Sequence, residues 1–245
     1  MIQDRKKFVS YVESRIEDNN TLYARFHLGT FVGGQALTIA NALRRTLLSE
    51  IPGFIITRVE IDGINHEFAT LPGLQESILN IVLNLKRMVL VGENFNIFSS
   101  PVEEFKASLN TQGPKIVTAK DIKFPAELSA LVPSHYIGTL GANGELKLNL
   151  TIQYCDPLLL SKTKKGEFNN DSTELILDTI PKPVKQVNFG IHQMANQLND
   201  EYISFEIWTD GSITPKDALD YALEKLTRIF YDFTSFNKKS SKSFF

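Results

Sequence analysis

Four histidines, His27, His66, His135 and His192, are the residues best able to ligate a metal or shuttle a proton. They are scattered, and none stands in H-E-x-x-H or another metal-ligand spacing. Their expected role is structural or solvent-facing, and no metal site is expected. Cys155 is the one cysteine. It forbids an internal disulfide framework or a cysteine metal cage. It has no activating base beside it in sequence, so a packed or loop thiol is expected. No G-x-x-x-x-G-K-[ST] and no G-x-S-x-G occurs, which leaves a P-loop or a hydrolase elbow without local support.

Two glycine motifs remain. Gly138, Gly141 and Gly144 are spaced G-x-x-G-x-x-G, and a strand-like segment follows them. Phosphate binding wants a helix N-terminus there, so a plain loop is expected. Gly33-Gly34-Gln35 is the tripeptide that peptide-release factors use to hydrolyse peptidyl-tRNA. Here it opens an amphipathic helix, where glycine suits a strand-to-helix corner. A stand-alone peptidyl-transfer hydrolase on this tripeptide is the alternative reading of function.

The surrounding elements decide what such residues can do. Leu22 to Leu28 alternates as a strand, with Leu22, Ala24, Phe26 and Leu28 on one side. Gly29, Gly33 and Gly34 then break the chain. Leu37, Ala40, Leu43, Leu47 and Leu48 recur at helical spacing and end before Pro52-Gly53. Arg44 and Arg45 lie beside that stripe. Phe54 to Asp62 reads as a strand, continued by Ile64-Asn65-His66-Glu67-Phe68 after a turn. Ile78, Ile81, Val82, Leu85 and Val89 mark a second helix. Residues 1–20 suggest only a weak helix, and 161–173 a polar loop. Glu145–Gln153 is the clearest strand, with Leu146, Leu148, Leu150 and Ile152 on one face. Val184–Ile191 and Tyr202–Trp208 are further strands. Thr214-Pro215-Lys216-Asp217 combines an N-cap, proline at the first helical position and an acid at the third. The helix it starts carries Leu219, Ala222, Leu223, Leu226, Ile229, Phe230 and Phe233. Phe230, Tyr231, Phe233 and Phe236 crowd its end. Such a stripe is core, or a helix exported to a partner. Residues 237–245 read as a frayed tail.

This order is α+β. The 245 residues carry 26 Lys+Arg and 28 Asp+Glu, a formal charge of −2, with 42% hydrophobic and 22% charged residues. That balance suits a soluble globular protein of one large or two modest domains. It disfavours a stand-alone DNA-binding regulator, which needs a basic excess or stripe. No leader peptide or membrane span is expected. No repeat of 20–50 residues is visible.

The stretch Gly34-Gln35-Ala36-Leu37-Thr38-Ile39-Ala40-Asn41-Ala42-Leu43-Arg44-Arg45-Thr46-Leu47-Leu48-Ser49 resembles the signature helix of the alpha subunit of bacterial-type multisubunit RNA polymerase. Further blocks follow in the same order. They are Val59-Glu60-Ile61-Asp62-Gly63 with His66-Glu67-Phe68, Leu71-Pro72-Gly73, and Ile81-Val82-Leu83-Asn84-Leu85-Lys86. Pro183-Val184-Lys185-Gln186-Val187-Asn188-Phe189 and Glu206-Ile207-Trp208-Thr209-Asp210-Gly211-Ser212-Ile213-Thr214-Pro215 complete them. Phe26-His27-Leu28-Gly29 and Gly34-Gln35 look more like chloroplast-encoded members than bacterial ones.

The resemblance implies a discontinuous dimerisation domain, 1–53 and 184–245, made of an antiparallel sheet and two long helices. A β-rich domain, 54–183, is inserted in it. It implies a homodimer in which helices 36–50 and 215–236 pack on their copies as a four-helix bundle, a closure open to two amphipathic helices per chain. The implied dimer interface is Leu37, Leu43, Leu47, Leu219, Leu223, Leu226, Phe230 and Phe233. One protomer would dock a β-type large subunit and the other a β′-type. The implied large-subunit interface is Arg44, Arg45, Leu48, His66, Glu67 and Lys86. Arginine suits such a place, since its planar fork fixes geometry; the plain reading of Arg44 and Arg45 is a solvated basic face with acidic partners in the same chain. The chain would be a non-catalytic subunit of a nucleotidyltransferase complex, with no cofactor. It would meet DNA only through the whole complex, in a plastid stroma or a bacterial cytoplasm.

The sequence departs from the family at Ala40, where glycine is frequent. It departs again at Gln153-Tyr154-Cys155-Asp156-Pro157 and Asn196-Gln197-Leu198-Asn199-Asp200, in regions the family turns toward the second large subunit. The sequence ends at Phe245, so the linked promoter-binding module of bacterial relatives is expected to be absent from it.

Overall fold

The computed structural model describes residues 7–17, 20–92, 104–158, 174–194 and 200–240. The expected loop at 161–173, most of the 196–200 element and the tail from 241 lie outside them. The chain divides into two compact units, Met1–Ile51 with Lys182–Phe245, and Pro52–Pro181. The crossings thus fall after Ile51 and after Pro181, against the 53 and 183 read from the resemblance.

The first unit is a four-stranded antiparallel sheet of β1 (Phe8–Ile16), β2 (Leu22–Val32), β11 (Val184–Gln193) and β12 (Asp200–Thr209) in the order β1-β2-β12-β11. Helix α1 (Gln35–Ser49) packs on β11, β12 and β2, and helix α3 (Pro215–Ser240) packs on α1, β2 and β12. The alternation in β2 puts Ala24, Phe26 and Leu28 into the core, where Ile203, Phe205 and Ile207 of β12 meet them. Tyr23 points the other way yet is 2% exposed. Trp208 lies against its ring and the Arg15 guanidinium sits over it. On the same face Arg25 pairs with Glu206 at 2.8 Å, and the Tyr23 hydroxyl donates to Glu206 at 3.1 Å.

Two expectations for this unit are corrected. Residues 8–16 form an edge strand, not a weak helix. Pairing with β2 supplies the backbone bonds that a mostly exposed segment cannot secure by local preference. β2 runs on through Gly29 to Val32, because β12 pairs with it along that length. At the far end, α3 continues through Ser240, beyond the expected fray at 237. It starts as its sequence dictates: the Asp217 N–H donates to Thr214 Oγ1 at 3.1 Å, and Pro215 is the first helical residue.

The second unit is built on an antiparallel sheet of β3 (Gly53–Ile61), β5 (Glu104–Gln112), β9 (Glu145–Cys155) and β10 (Glu174–Ile176) in the order β10-β3-β9-β5. Short ribbons pair β4 (Leu90–Gly92) with β7 (Leu128–Ala130), and β6 (Lys115–Thr118) with β8 (Tyr136–Leu140). Helix α2 (Ile78–Arg87) buries Ile78, Ile81, Val82 and Leu85 in the core that Leu146, Leu148, Leu150 and Ile152 of β9 complete. Ser77 caps it, accepting from the Asn80 N–H at 3.3 Å, and Lys86 and Arg87 suit its negative end. Val89 falls beyond the helix. A bulge between Ile56 and Arg58 shifts the phase of β3, so Ile56 shares the core with Val59 and Ile61. Ile64–Phe68, expected as a strand, is a turn segment closed by the Ala69 N–H donating to His66 O at 3.1 Å.

Gly141 and Gly144 pack on the Gly73 backbone, and Gly138 packs on side chains. A Cβ at Gly144 would lie 2.5 Å from Gly73 O, and one at Gly138 would lie 2.5 Å from Ile81 Cδ1. Beside them Glu76 ties the segment before α2 to β8. It accepts from the Thr139 N–H at 2.7 Å and from the Tyr136 hydroxyl. Burial raises the Glu76 pKa, and these hydrogen bonds more than offset that, leaving it below the ordinary 4.5. A depressed folded value means stability that is full above about 4.5 and lost as pH falls through the folded value. Glu76→Gln is expected to cost about 1 kcal/mol at neutral pH, given its part exposure, and to flatten the acid limb of unfolding. Urea melts at pH 7 and pH 4 check this; an equal loss at both would contradict it.

Candidate docking surfaces

Gly34 turns the chain from β2 into α1. Its φ of 83° is the left-handed region that glycine enters without strain. Its N–H donates to Glu201 Oε2 at 3.3 Å, while the Gln35 side chain folds back to accept from the Val32 N–H at 3.2 Å. The glutamine of Gly33-Gly34-Gln35 therefore closes a structural corner, and nothing in this geometry favours the hydrolase alternative.

Beyond the corner, α1 buries Ala36, Ala40, Leu43, Thr46 and Leu47 against its own sheet. The small Ala36, not Leu37, begins the buried stripe, at positions i, i+4, i+7 and i+11. Leu37 is 51% exposed and shares the outward line with Asn41, Arg44 and Leu48, and Arg45 stands beside it. Asn41 donates to Leu37 O and Ser49 to Arg45 O, so local bonds hold this face in helical form. Arg44 and Arg45 are both exposed, and among the described residues neither makes an ion pair. Arg15, Arg25, Arg58 and Arg228 all have acidic partners. The acidic partners that a plain solvated face would supply within the chain are thus not found for Arg44 or Arg45 among those residues.

The other members of the expected large-subunit set lie in the second unit. His66 and Glu67 are exposed in the turn after β3, beside Phe68, which is 75% exposed. Lys86 is half-buried on α2. The structure brings Arg44, Arg45 and Leu48 together on one helix face, and His66 and Glu67 together in one turn.

The dimer set also divides. Leu43, Leu47 and Leu219 are at most 1% exposed within a single protomer, so they back the helices and cannot be the surface a partner touches. Periodicity puts them on an apolar helix face but does not say what covers it. Leu223 and Leu226 are half-buried. Phe230 and Phe233 are exposed, as are Ile229 and Tyr231. Ile229 and Tyr231 are the residues that the expected set omits, though their helical run with Phe230 and Phe233 is visible in the sequence.

Potential ligating and nucleophilic groups are spent elsewhere. His135 Nε2 meets Asn84 O at 2.8 Å, and His27 and His192 flank the Tyr202 ring. Burial, then the charge of His192, lowers the His27 pKa. Cys155 is buried at the end of β9. Among the described residues no three His, Cys, Asp or Glu side chains are grouped to hold a metal.

The described residues thus present an Arg44–Arg45 helix face without an ion pair among them and exposed aromatics on α3, but no grouped catalytic or metal-binding side chains. Residues 30–230 match the family of the RNA polymerase Rpb3/Rpb11 dimerisation domain. The chain is 36% identical over 283 residues to a DNA-directed RNA polymerase subunit alpha of Chlorella vulgaris, covering 98% of this chain and 100% of the relative. It is 37% identical to that of Marchantia polymorpha, covering 98% and 69%. To that of Gloeobacter violaceus it is again 37% identical, covering 89% and 68%. The chain belongs to the alpha subunits of DNA-directed RNA polymerase, within the Rpb3/Rpb11 dimerisation family. Its part in that nucleotidyltransferase assembly is non-catalytic.

Proposed function

We propose that the chain is the homodimeric platform on which a β-type and a β′-type large subunit assemble for transcription. The observation that carries this reading is the run of exposed aromatics on α3, with Phe230 65%, Tyr231 68% and Phe233 73% exposed in the protomer. Apolar surface of this kind is covered when a partner is present. The partner is a second copy, with the first unit, Met1–Ile51 and Lys182–Phe245, as the dimerising one. The face of Arg44, Arg45 and Leu48 receives the β-type subunit, and the second unit adds His66, Glu67 and Lys86. DNA is met through the complex alone, in keeping with a formal charge of −2. No cofactor is assigned to this chain. The compartment is a plastid stroma, with a bacterial cytoplasm as the alternative, on the kinship with chloroplast-encoded and cyanobacterial subunits.

Reconstitution tests the reading. Purified β-type and β′-type subunits, mixed with and without this chain, are expected to make RNA from a template only when the chain is present. Equal synthesis in its absence would contradict the platform role.

A further inference from the structure

Lys225 of α3 crosses to the end of α1. Its Nζ lies 3.4 Å from Glu50 Oε2 and donates to the Glu50 main-chain oxygen at 3.3 Å. Both side chains are largely buried, 17% and 16% exposed. Nζ also lies 5.6 Å from the centroid of the Tyr221 ring, one turn earlier on α3.

Glu50 is where α1 stops. Its N–H donates to Thr46 O at 2.9 Å, and Ile51, which is 2% exposed, closes this stretch of the first unit. A helix end leaves carbonyls unsatisfied and carries partial negative charge, which a cation in the last turn offsets. α1 has no basic residue in its last turn. Lys225 brings the cation from a different helix. The turn it meets is the one that displays the docking face: the Ser49 hydroxyl donates to Arg45 O at 2.6 Å, and Leu48 lies between them.

We propose that Lys225 is a positioning residue for large-subunit docking, holding the last turn of α1 through Glu50 so that Arg45 and Leu48 stand in their binding geometry. The proposal rests on the docking face described under Proposed function. It ties α3, assigned to dimerisation, to the last turn of α1, whose Arg45 and Leu48 are assigned to the large subunit. A pair placed for stability alone would shift melting and leave the Arg45 contribution to binding intact. A positioning pair makes that contribution depend on Lys225, and a double-mutant cycle separates the two.

The experiment uses the full chain and titrates it with a purified β-type large subunit, well below the melting temperature. The variants are Arg45→Ala, Lys225→Met, both together, and Lys225→Arg, with sedimentation confirming the dimer. Lys225→Met is expected to keep the dimer and weaken binding about tenfold, the scale of coupling between neighbouring groups. Arg45→Ala is expected to cost clearly less in the Lys225→Met background than alone. Lys225→Arg restores most of the binding, because it keeps a cation at Glu50. Glu50→Gln removes the pair from its other end and gives the same result where Lys225→Met does not fold. Additive losses, or full affinity in Lys225→Met when Arg45→Ala has lost it, overturn the proposal and leave the docking face standing. Full affinity in Arg45→Ala itself overturns the docking face, and the proposal with it.

Discussion

Phe230→Asp combined with Phe233→Asp is expected to convert the proposed dimer into a folded monomer. The two rings are 65% and 73% exposed in the protomer, so charging them places no carboxylate in its core. Their cost falls on association. Burying a phenylalanine contributes roughly 1.5–3 kcal/mol, so losing two removes roughly 3–6 kcal/mol per protomer surface. Both protomers carry the change, so the dimer loses about twice that, which weakens dimerisation by about four to nine orders of magnitude before the penalty of burying charge is added. Leu226→Asp makes the contrast. Leu226 is half-buried against its own chain, so that change is expected to destabilise the protomer as well as the dimer. Sedimentation velocity at micromolar concentration measures association, and thermal melting measures the protomer. An unchanged dimer in the double variant would remove α3 from the interface.

Arg45→Ala is expected to leave folding and dimerisation intact and to weaken capture of the β-type subunit. Arg45 is exposed, lies off the buried line of Ala36, Ala40, Leu43 and Leu47, and has no ion-pair partner among the described residues. Its removal costs the fold little. An arginine at the centre of an interface contributes on the order of 2 kcal/mol or more, and 2 kcal/mol is about thirtyfold in affinity. Arg45→Lys recovers only part, since a point charge does not reproduce the planar fork. Affinity titration of the mutant dimer checks this, and wild-type binding by Arg45→Ala would return Arg45 to the solvent-facing reading.

The strongly periodic segments are legible in the amino-acid pattern itself. β9 alternates cleanly, and the Thr214-Pro215 start of α3 carries its own signal. β1 is not legible, because a mostly exposed edge strand takes its form from β2 and not from its own pattern. Ile64–Phe68 has the apolar spacing of a strand but no partner strand among the described residues, and it closes as a turn. On α1 the pattern draws the buried line through Leu37, when the shorter Ala36 is what fits against the sheet. Spacing alone also leaves open which leucines face a partner, since burial within the protomer and burial in a dimer look alike in sequence. Arg44 and Arg45 stand out as charges beside an apolar stripe. His66, Glu67 and Lys86 enter only through resemblance to the family, because no spacing connects a turn to two helices in different units.

Native mass spectrometry of this chain co-expressed with β-type and β′-type large subunits tests the platform most directly. The account predicts one dominant assembly holding two copies of this chain and one of each large subunit, with a dimer of the chain alone as the smallest dissociation product. A dominant assembly with a single copy of the chain, or large subunits paired without it, would contradict the account.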